Sequence, residues 1–321
     1  MHTIVKHRYW WFAISIFLIV PGLVSLALNG LRLGVDFSGG ALWNVQFMER
    51  PVEQLNTADI GNIFAQQGFA DARAQLTQAN VGGKSVAEAL VRTKRLSADA
   101  PEADQRKVLD ALKAQYGEVR LASLQSVGET VSAESTRSAV IAVLGASIAI
   151  LLYLTFAFRK APHPVRYGVC ALLAMLHDVL VVIGVASILG VLIGLEVDAL
   201  FLTALLTVIS FSVHDTIVVF DRIRENLIHR RANESFDDIV NHSIVQTLPR
   251  SINTQLTTFF TLTALLLFGG ATIQHFVLIL LIGLLSGTYS SIFNAAQLLV
   301  VWEHREWENW FGRKNQPAPA A

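Results

Sequence analysis

Charged residues are scarce in this chain. Of its 321 residues only 16% are Asp, Glu, Lys or Arg, while 53% are hydrophobic. Soluble globular domains carry roughly 25% charged residues, so this composition excludes an ordinary water-soluble protein. Acidic and basic residues are equal in number, 25 of each, and the zero net charge excludes the basic surface that nucleic-acid-binding proteins need.

Cysteine and the patterns of cofactor sites are also lacking. The single cysteine, Cys170, lies in an apolar segment and cannot form an internal disulfide, so it gives no information about the redox compartment. No cluster of residues has metal-ligand spacing, and no phosphate-binding glycine loop is followed by Lys-Ser or Lys-Thr. We therefore expect no cofactor, no metal and no enzyme activity.

Long apolar runs are abundant. About 20 apolar residues cross the roughly 30 Å hydrocarbon core of a bilayer. Two interpretations of the first run exist, since Ala27-Leu28-Asn29 loosely suits cleavage of a signal peptide, whereas the length of the run and the interfacial pair Trp10 and Trp11 favour a retained span. We prefer the retained span, and the sequence then predicts six spans, at about 9–28, 136–158, 165–190, 197–219, 251–269 and 273–301.

Basic residues predict the orientation, because cytoplasmic loops are enriched in Lys and Arg. The two loops around 192–198 and 269–274 contain neither residue. The opposite ends of the spans carry Lys6, Arg8, Arg159, Lys160, Arg166, Arg222, Arg224, Arg230, Arg231, Arg250, Arg305, Arg313 and Lys314. Both termini are therefore expected in the cytoplasm. The predicted divisions are 1–30 (N-terminus and first span), 31–133 (outer domain), 134–302 (five spans, with a cytoplasmic loop at about 222–250) and 303–321 (cytoplasmic tail).

The outer segment has a regular order of predicted elements. Strands are expected at Ala41–Met48, Ala70–Gln78, Ser85–Lys94 and Glu118–Val127, and helices at Val52–Gln67 and Glu102–Tyr116. The order β-α-β-β-α-β predicts a small α+β, ferredoxin-like domain. The fold class is thus an α-helical polytopic membrane protein with one outer domain between its first two spans. Acids and bases nearly balance in that domain, which favours contact with protein over binding of an anion.

Three predicted spans carry a polar stripe, in which hydroxyl, amide or small residues recur on one helical face. Such residues let helices approach each other and form interhelical hydrogen bonds, and this is the favoured interpretation for most of them. For Asn294, packing and function are equally good interpretations. The stripes are Thr203, Thr207, Ser210, His214 and Asp221 in the fourth span; Arg250, Thr254, Thr257, Thr258 and Thr261 in the fifth; and Gly283, Ser286, Gly287, Ser290, Asn294 and Gln297 in the sixth.

Asp215 is a carboxylate about 18 residues into the fourth span. A charge inside a membrane costs several kcal/mol and usually serves ion or proton handling. A structural salt bridge with Arg250 is one alternative, and Arg250 reaching only to the membrane interface is another. His214 lies about 100° from Asp215 on a helical wheel, within the polar stripe, so periodicity nominates His214 as readily.

His177 and Asp178 form a second ionisable pair, near the middle of the third span. A histidine titrates near neutral pH, and a neighbouring acid tunes it. Adjacent residues point about 100° apart, however, and need not touch each other. A proton relay and two separate interhelical contacts both remain open.

Four separated blocks resemble signatures of the SecF family of protein-export membrane proteins. Together with six spans and an outer domain after the first, they extend the resemblance over nearly the whole chain. Gly39 and Gly40 in the first block permit tight turns, and Asp36 can hold one. The blocks are Gly34-Val-Asp-Phe-Ser-Gly-Gly40, Ala174-Met-Leu-His-Asp-Val-Leu180, Val213-His-Asp-Thr-Ile-Val-Val-Phe-Asp-Arg-Ile-Arg-Glu-Asn226 and Thr247-Leu-Pro-Arg-Ser-Ile-Asn-Thr-Gln-Leu-Thr-Thr258.

The resemblance implies a subunit of the bacterial inner membrane, shaped like one half of a resistance–nodulation–division (RND) transporter. Such a subunit pairs with SecD and uses the proton-motive force to help the SecY/SecE/SecG channel export preproteins. A YajC protein and a YidC-type insertase are implied as further partners, and the lipid bilayer surrounds the spans. No nucleic acid is implied.

The resemblance also implies residue roles. Asp215 matches the proton-carrying aspartate of the family, and Arg250 matches the arginine proposed to work with it. His214 stands where the family usually has Asn, so it joins His177 and Asp178 as a further proton-path candidate. The residues Asp36, Phe37, Gly39 and Gly40 match the motif that joins the outer domain to the membrane and are expected to act as a hinge.

Two other functions compete with protein export. A proton-driven, RND-like exporter of small molecules or lipids would have a large apolar cleft in its outer domain, for which the sequence gives no sign. An intramembrane aspartyl protease would need a pair of aspartates, and Asp178 with Asp215 is the candidate pair. The Gly-x-Gly-Asp block of such proteases is absent from the sequence.

Overall fold

A computed structural model describes residues 4–81, 84–94, 96, 101–159, 161–230 and 233–310. Its α-helices are α1 (Arg8–Asn29), α2 (Val35–Ser38), α3 (Thr57–Gln66), α4 (Pro101–Tyr116), α5 (Glu129–Ala157), α6 (Pro164–Leu192), α7 (Ala199–Ile228), α8 (Phe236–Phe268), α9 (Ala271–Ser290), α10 (Ala296–Glu303) and α11 (Trp307–Trp310). Its strands are β1 (Gly40–Phe47), β2 (Arg73–Val81), β3 (Lys84–Thr93) and β4 (Val119–Val127).

The strands form one antiparallel sheet in the order β2-β3-β1-β4. With α3 between β1 and β2, and α4 between β3 and β4, this is the predicted ferredoxin-like arrangement. Alternate residues of β1 point to opposite faces of the sheet. Trp43, Val45 and Phe47 pack against the helices, where Phe64 and Leu112 complete the core. The other face of the sheet carries polar residues and turns towards the membrane helices.

Six helical segments are long and apolar enough to cross a membrane, which confirms the predicted number: Val5–Asn29, Glu129–Ala157, Pro164–Leu192, Ala199–Ile228, Phe236–Phe268 and Ile273–Glu303. In the most apolar stretch of α6, α7 and the α9–α10 span, between 50 and 61% of the residues are buried, against 6 to 11% for α1, α5 and α8. The first three therefore form the centre of the bundle, and the other three lie at its periphery. The last span contains one turn of π-helix, Ser291–Ala295, between α9 and α10.

Two glycines bring α1 and α6 into backbone contact. A Cβ atom added to Gly22 would lie 2.6 Å from the Cα atom of Gly184, and the reverse substitution would be equally crowded. Small residues at such crossings let transmembrane helices pack closely without side chains between them. The contact holds the peripheral α1 against a central helix.

The structure corrects several predicted boundaries. The helix expected at Val52–Gln67 is divided into a 3₁₀ turn, Val52–Gln54, and α3, because the Asn56 side chain accepts a hydrogen bond from the Ala58 amide and caps a new helix there. The strand expected at Ala70–Gln78 begins instead at Arg73, since residues 69–72 form a turn after α3.

The segment 222–250, expected to be a cytoplasmic loop, is mostly helical. Helix α7 continues to Ile228, and α8 begins after Ser235, whose hydroxyl accepts from the Asp238 amide at 3.1 Å. Helix α8 then passes through Pro249 without ending, as membrane helices often do. In its first turns, Ile239, Val240 and Ile244 are buried in the protein. The residues Lys160, Arg231, Arg313 and Lys314, and the tail beyond 310, lie outside the described residues.

Candidate functional site

Asp215 lies on the buried side of α7 and is only 3% exposed. The Nε2 atom of Gln255, on α8, donates a hydrogen bond to its Oδ2 atom. The Oε1 atom of the same amide is buried and has no hydrogen-bond partner among the described residues. Gln255 was not singled out from the sequence, although a lone amide in an apolar span is the signal that could have indicated it. The two side chains connect α7 to α8 at membrane depth.

The two cationic candidates near Asp215 face outward. His214 and Arg250 are both exposed on the surface of the bundle. Both are close enough to act electrostatically on the Asp215 carboxylate. Among the described residues, however, Asp215 and Arg250 form no ion pair within 4.0 Å, so the alternative of a structural salt bridge is not what this conformation contains.

The polar stripes of α7 and α8 also lie on the outside of the bundle. Thr207 and Thr258 are partly buried, whereas the exposed members are Thr203, Ser210, His214 and Asp221 on α7 and Arg250, Thr254, Thr257 and Thr261 on α8. Most of the threonine hydroxyls donate to a carbonyl of their own helix, for example Thr203 to Ala199 at 2.9 Å and Thr261 to Thr257 at 3.0 Å. They are therefore satisfied without a second helix. In the part of the chain that the structure describes, neither His214 nor Arg250 makes a comparable hydrogen bond within its own helix.

The stripe of the last span is buried, and it encloses the second aspartate. Asp178 on α6 is fully buried. Its Oδ2 atom accepts hydrogen bonds from Ser212 of α7 at 2.6 Å and Ser290 of α9 at 2.5 Å, and its Oδ1 atom accepts from Ser286 of α9 at 2.6 Å. The fourth contact is from His177, whose Nδ1 atom lies 3.0 Å from Oδ1. Asp178 thus joins the three central helices.

The contact between His177 and Asp178 bears on the two interpretations of this pair, a proton relay and two separate interhelical contacts. The side chains do touch, although neighbours on a helix need not. The Nε2 atom of His177 is buried without a hydrogen-bond partner among the described residues, and the His177 ring lies 6.0 Å from that of Tyr289. No comparison or contact tests whether the pair moves a proton, and that role stays a prediction.

Asn294 contacts the first span. Within the π-helical turn, its Oδ1 atom accepts a hydrogen bond of 2.9 Å from Ser15 of α1. Gln297, one turn later, is fully buried, and both polar atoms of its amide lack a partner in the described part of the chain. Ser286, Ser290 and Asn294 of the stripe thus form hydrogen bonds to other helices, and a further role for Asn294 stays a prediction.

The Gly34–Gly40 block forms a tight connection between α1 and the sheet. The Asp36 carboxylate accepts a hydrogen bond of 2.9 Å from the amide of Ala199, at the start of α7. Phe37 packs against the core of the membrane helices. Gly39 and Gly40 have φ values of +71° and +112°, and a Cβ atom on Gly40 would lie 2.6 Å from the Thr93 carbonyl oxygen. Both positions therefore require glycine.

Two aspartates of a protease would share one proton between touching carboxylates. Here Asp178 has serine and histidine partners and Asp215 has an amide partner, with no hydrogen bond between the two acids among the described residues. The geometry does not favour an aspartyl dyad.

A cleft of about 1690 Å³ lies between the open face of the sheet, the loop that precedes α7 and the beginning of α9. Its walls include the charged side chains of Glu88, Arg92, Glu196 and Asp198. Charged side chains thus line part of this cleft, whereas a cleft for lipids or small apolar molecules is expected to be mainly apolar.

Comparisons with known proteins agree with this arrangement. The family model described as "Protein export membrane protein SecD/SecF, C-terminal" matches residues 107–305. The protein translocase subunit SecF of Thermobaculum terrenum is 50% identical over 324 residues, and that of Anaerolinea thermophila is 47% identical over 323; both alignments cover 100% of each chain. This chain belongs to the SecF family.

A solved structure shares the fold. The crystal structure of SecDF from Thermus thermophilus, described as a translocon-associated membrane protein, has a TM-score of 0.78 and 32% sequence identity, over 94% of this chain. The match covers 38% of the SecDF chain, which is therefore much longer than the part that this chain resembles. The family resemblance and the RND-like fold class predicted from the sequence are confirmed.

Proposed function

We propose that this chain is an accessory subunit of the Sec protein translocase that uses the proton-motive force, together with a SecD partner, to promote protein export. The observation that carries the proposal is Asp215, a buried intramembrane carboxylate with a hydrogen bond from Gln255. A carboxylate has about four acceptor positions, and each donor that fills one stabilises the charged form. Asp215 retains acceptor capacity for a proton, whereas Asp178 has four donors around it.

Gln255 suits both protonation states of Asp215. With Asp215 charged, the amide nitrogen donates to the carboxylate, as observed. With Asp215 protonated, rotation of the amide presents the buried Oε1 atom as an acceptor for the new O–H group. The same two residues therefore remain hydrogen-bonded through a cycle, and the amide turns as the proton arrives and leaves.

Protonation changes the energy of the bundle because it removes a charge from a low-dielectric site. In the proposed cycle, a proton reaches Asp215 from the outer side, the neutral acid favours a second arrangement of α7 and α8, and the proton leaves towards the cytoplasm. Arg250 is proposed to promote this release, and His214 is the competing proton carrier. One charge that crosses 100 mV supplies about 2.3 kcal/mol, so a few protons are enough for a modest conformational step.

A SecD chain is proposed to cover the polar face of α7 and α8. His214 and Arg250 are exposed on that face, inside the membrane or close to its surface. A cation facing lipid at the centre of a span costs about 2.5–3.5 kcal/mol, so contact with a second protein is favoured over contact with lipid. The longer chain of the solved SecDF, of which this chain matches 38%, supports a partner of that kind.

The orientation and the remaining partners are part of the same proposal. We place both termini, and the ends of α7 and α8 nearest Arg222 and Arg230, in the cytoplasm of a bacterial cell, and the sheet domain outside the inner membrane. The outer domain then acts on a preprotein that emerges from the SecY/SecE/SecG channel. A YajC protein and a YidC-type insertase are further proposed neighbours.

The test is export of a reporter preprotein in cells that carry this chain beside its SecD partner, with the proton gradient intact or collapsed. We expect Asp215→Asn to accumulate to normal amounts and to lose the gradient-dependent part of export. Glu225→Gln is the matched control, because it removes an exposed carboxylate from the same helix, outside the polar stripe, where Glu225 pairs with Arg222 at 2.6 Å. The control should export as the unmodified chain does.

A third variant separates the two proton carriers. His214→Asn restores the residue usual in the family and should retain gradient-dependent export if Asp215 carries the proton. Loss of export in His214→Asn, with retention in Asp215→Asn, would assign the proton to the histidine and contradict the proposed mechanism.

A further inference from the structure

The short loop between α6 and α7, residues 193–198, is hydrogen-bonded to the segment that leads into the outer domain. The Val197 amide donates to the Arg32 carbonyl, and the Gly34 amide donates to the Val197 carbonyl, both at 2.7 Å. Residues 31–34, which lead from α1 to the sheet, thus run beside this loop as a short parallel pair. This loop connects α6, which carries Asp178, to α7, which carries Asp215.

The start of α7 is capped by two carboxylates from different parts of the chain. Asp198 accepts from the Phe201 amide at 2.7 Å, and Asp36 accepts from the Ala199 amide at 2.9 Å. Both interactions satisfy free amides at the positive end of the helix dipole. Burial raises the pKa of Asp198, the Phe201 amide opposes this shift, and the nearby Asp36 carboxylate adds to it. The outer domain's entry segment is therefore attached to α7 itself.

Two side chains of the sheet reach the same loop. Arg92 of β3 donates to Glu196 at 3.2 Å with one guanidinium nitrogen and to the Ser38 hydroxyl with another. Gln75 of β2 donates to the Ile193 carbonyl at 2.9 Å. The Arg92 and Glu196 side chains are 24% and 33% exposed, so water screens this ion pair only in part.

We propose that the Arg92–Glu196 pair is a coupling latch that transmits movement of α7 to the outer domain. Asp215 lies sixteen residues along α7 from Ala199, about 24 Å at the rise of an α-helix, and a continuous helix carries a tilt or shift over that distance. The covalent connections of the sheet lead to α1 and α5, which are peripheral. The latch joins it instead to the central pair α6 and α7. Both residues are positioning residues, and the inference rests on the proposed function.

Reversal of the charges tests the latch. The variants are Arg92→Glu, Glu196→Arg and the two combined, each in the full chain beside its SecD partner. We expect each single variant to lower gradient-dependent export about fivefold, since like charges then face each other, and the double variant to regain most of it. Arg106→Glu is the matched control, because Arg106 is an exposed arginine on α4 of the same domain, where it lies 3.8 Å from Glu102. It should leave export unchanged.

A second measurement detects the Arg92–Glu196 contact independently of export. Hydrogen exchange of the amides of residues 193–199, in the purified complex, should be faster in both single variants and return to the original rate in the double variant. Equal exchange in all four proteins, or single variants that export normally, overturns the latch. If the unmodified chain shows no gradient-dependent export at all, the proposed function is wrong, and the exchange rates still decide whether the contact exists.

Discussion

Asp178 and Asp215 are both aspartates buried among the central transmembrane helices, but their hydrogen bonds differ. Asp178 receives three serine hydroxyls and a histidine nitrogen, contributed by its own helix, α7 and α9. Among the described residues, Asp215 accepts a side-chain hydrogen bond from one amide only, that of Gln255 on the peripheral α8. Asp178 therefore has the hydrogen-bond partners of a structural junction, whereas Asp215 keeps acceptor positions open for the proton that we propose it carries.

The comparison also separates central from peripheral helices. The serines around Asp178 come from helices whose spans are at least half buried, and movement there would break several hydrogen bonds at once. The partner of Asp215 belongs to α8, whose span is 11% buried in its most apolar stretch. A shift of α8 against α7 therefore disturbs few other contacts. Asp215, the residue that we expect to titrate, therefore lies where two helices can shift against each other.

The largest expected effect is loss of stability in Asp178→Ala. The substitution leaves three serine hydroxyls and His177 without their buried acceptor, and each buried donor left unsatisfied costs about 1–3 kcal/mol. We expect a large drop in the midpoint of thermal unfolding of the purified protein and low amounts in the membrane. Asp215→Ala, measured in the same way, is the control and should lose far less. Equal losses in the two variants would remove the distinction between the two aspartates.

The next effect concerns proton coupling alone. Gln255→Leu removes the amide that we expect to follow the Asp215 proton, while it retains a side chain of similar length. Gradient-dependent export should fall about tenfold, with little change in thermal stability, because one hydrogen bond in a membrane contributes about 0.6 kcal/mol on average. Gln255→Glu is a useful second variant, since it places two acids together. Normal export by Gln255→Leu would show that the amide has no part in the cycle.

A smaller effect is expected from single serines. Ser290→Ala removes one of the donors to Asp178, and a hydrogen bond within a membrane contributes about 0.6 kcal/mol on average and about 1.7 kcal/mol at most. We expect lower thermal stability and a normal response of export to the gradient, the reverse of Gln255→Leu. Ser291→Ala is the control, because the hydroxyl of Ser291 bonds to the Thr288 carbonyl of its own helix. Loss of the gradient response in Ser290→Ala would place Asp178 in the proton path.

The smallest effect is a pH dependence at the outer surface. Burial raises the pKa of Glu196, Arg92 opposes the shift, and Asp198 adds to it. An acid whose pKa is raised on folding adds stability when protonated, and that contribution is lost as pH rises through the folded pKa. The Arg92–Glu196 ion pair depends on pH in the opposite sense, because it needs a charged Glu196. It is therefore lost as pH falls through the pKa of Glu196. Intrinsic amide exchange slows as pH falls, so the protection factor is the quantity to compare. The protection factors of residues 193–199 should decrease as pH falls through the raised pKa, and Glu196→Gln should abolish this dependence.

Much of the fold was predictable because it follows from local patterns. Apolar runs predicted six spans, and strand alternation predicted the ferredoxin-like order. The polar stripe of the sixth span was also visible, since Ser286 and Ser290 recur at helical spacing. Boundaries were less predictable: nothing in the residues 222–250 alone shows that they continue the two flanking helices, which depends on burial of Ile239, Val240 and Ile244 against the other helices.

The partners within the site could not be predicted in the same way. Asp178 and Ser212 lie 34 residues apart, and Asp215 and Gln255 lie 40 apart, so each pair exists only through helix packing. Asp215 and Arg250 were identifiable from motifs, but the motifs carry no information about the number of donors that surround each acid. That number is what distinguishes the two aspartates.

The most direct measurement is infrared difference spectroscopy of the chain with its SecD partner in vesicles, recorded as a proton gradient is applied. If Asp215 takes up the proton, a band from a carboxylic acid should appear with the gradient. We expect this band to be absent in Asp215→Asn and to persist in Asp178→Asn. A gradient-dependent band that survives in Asp215→Asn and disappears in Asp178→Asn would contradict this role of Asp215.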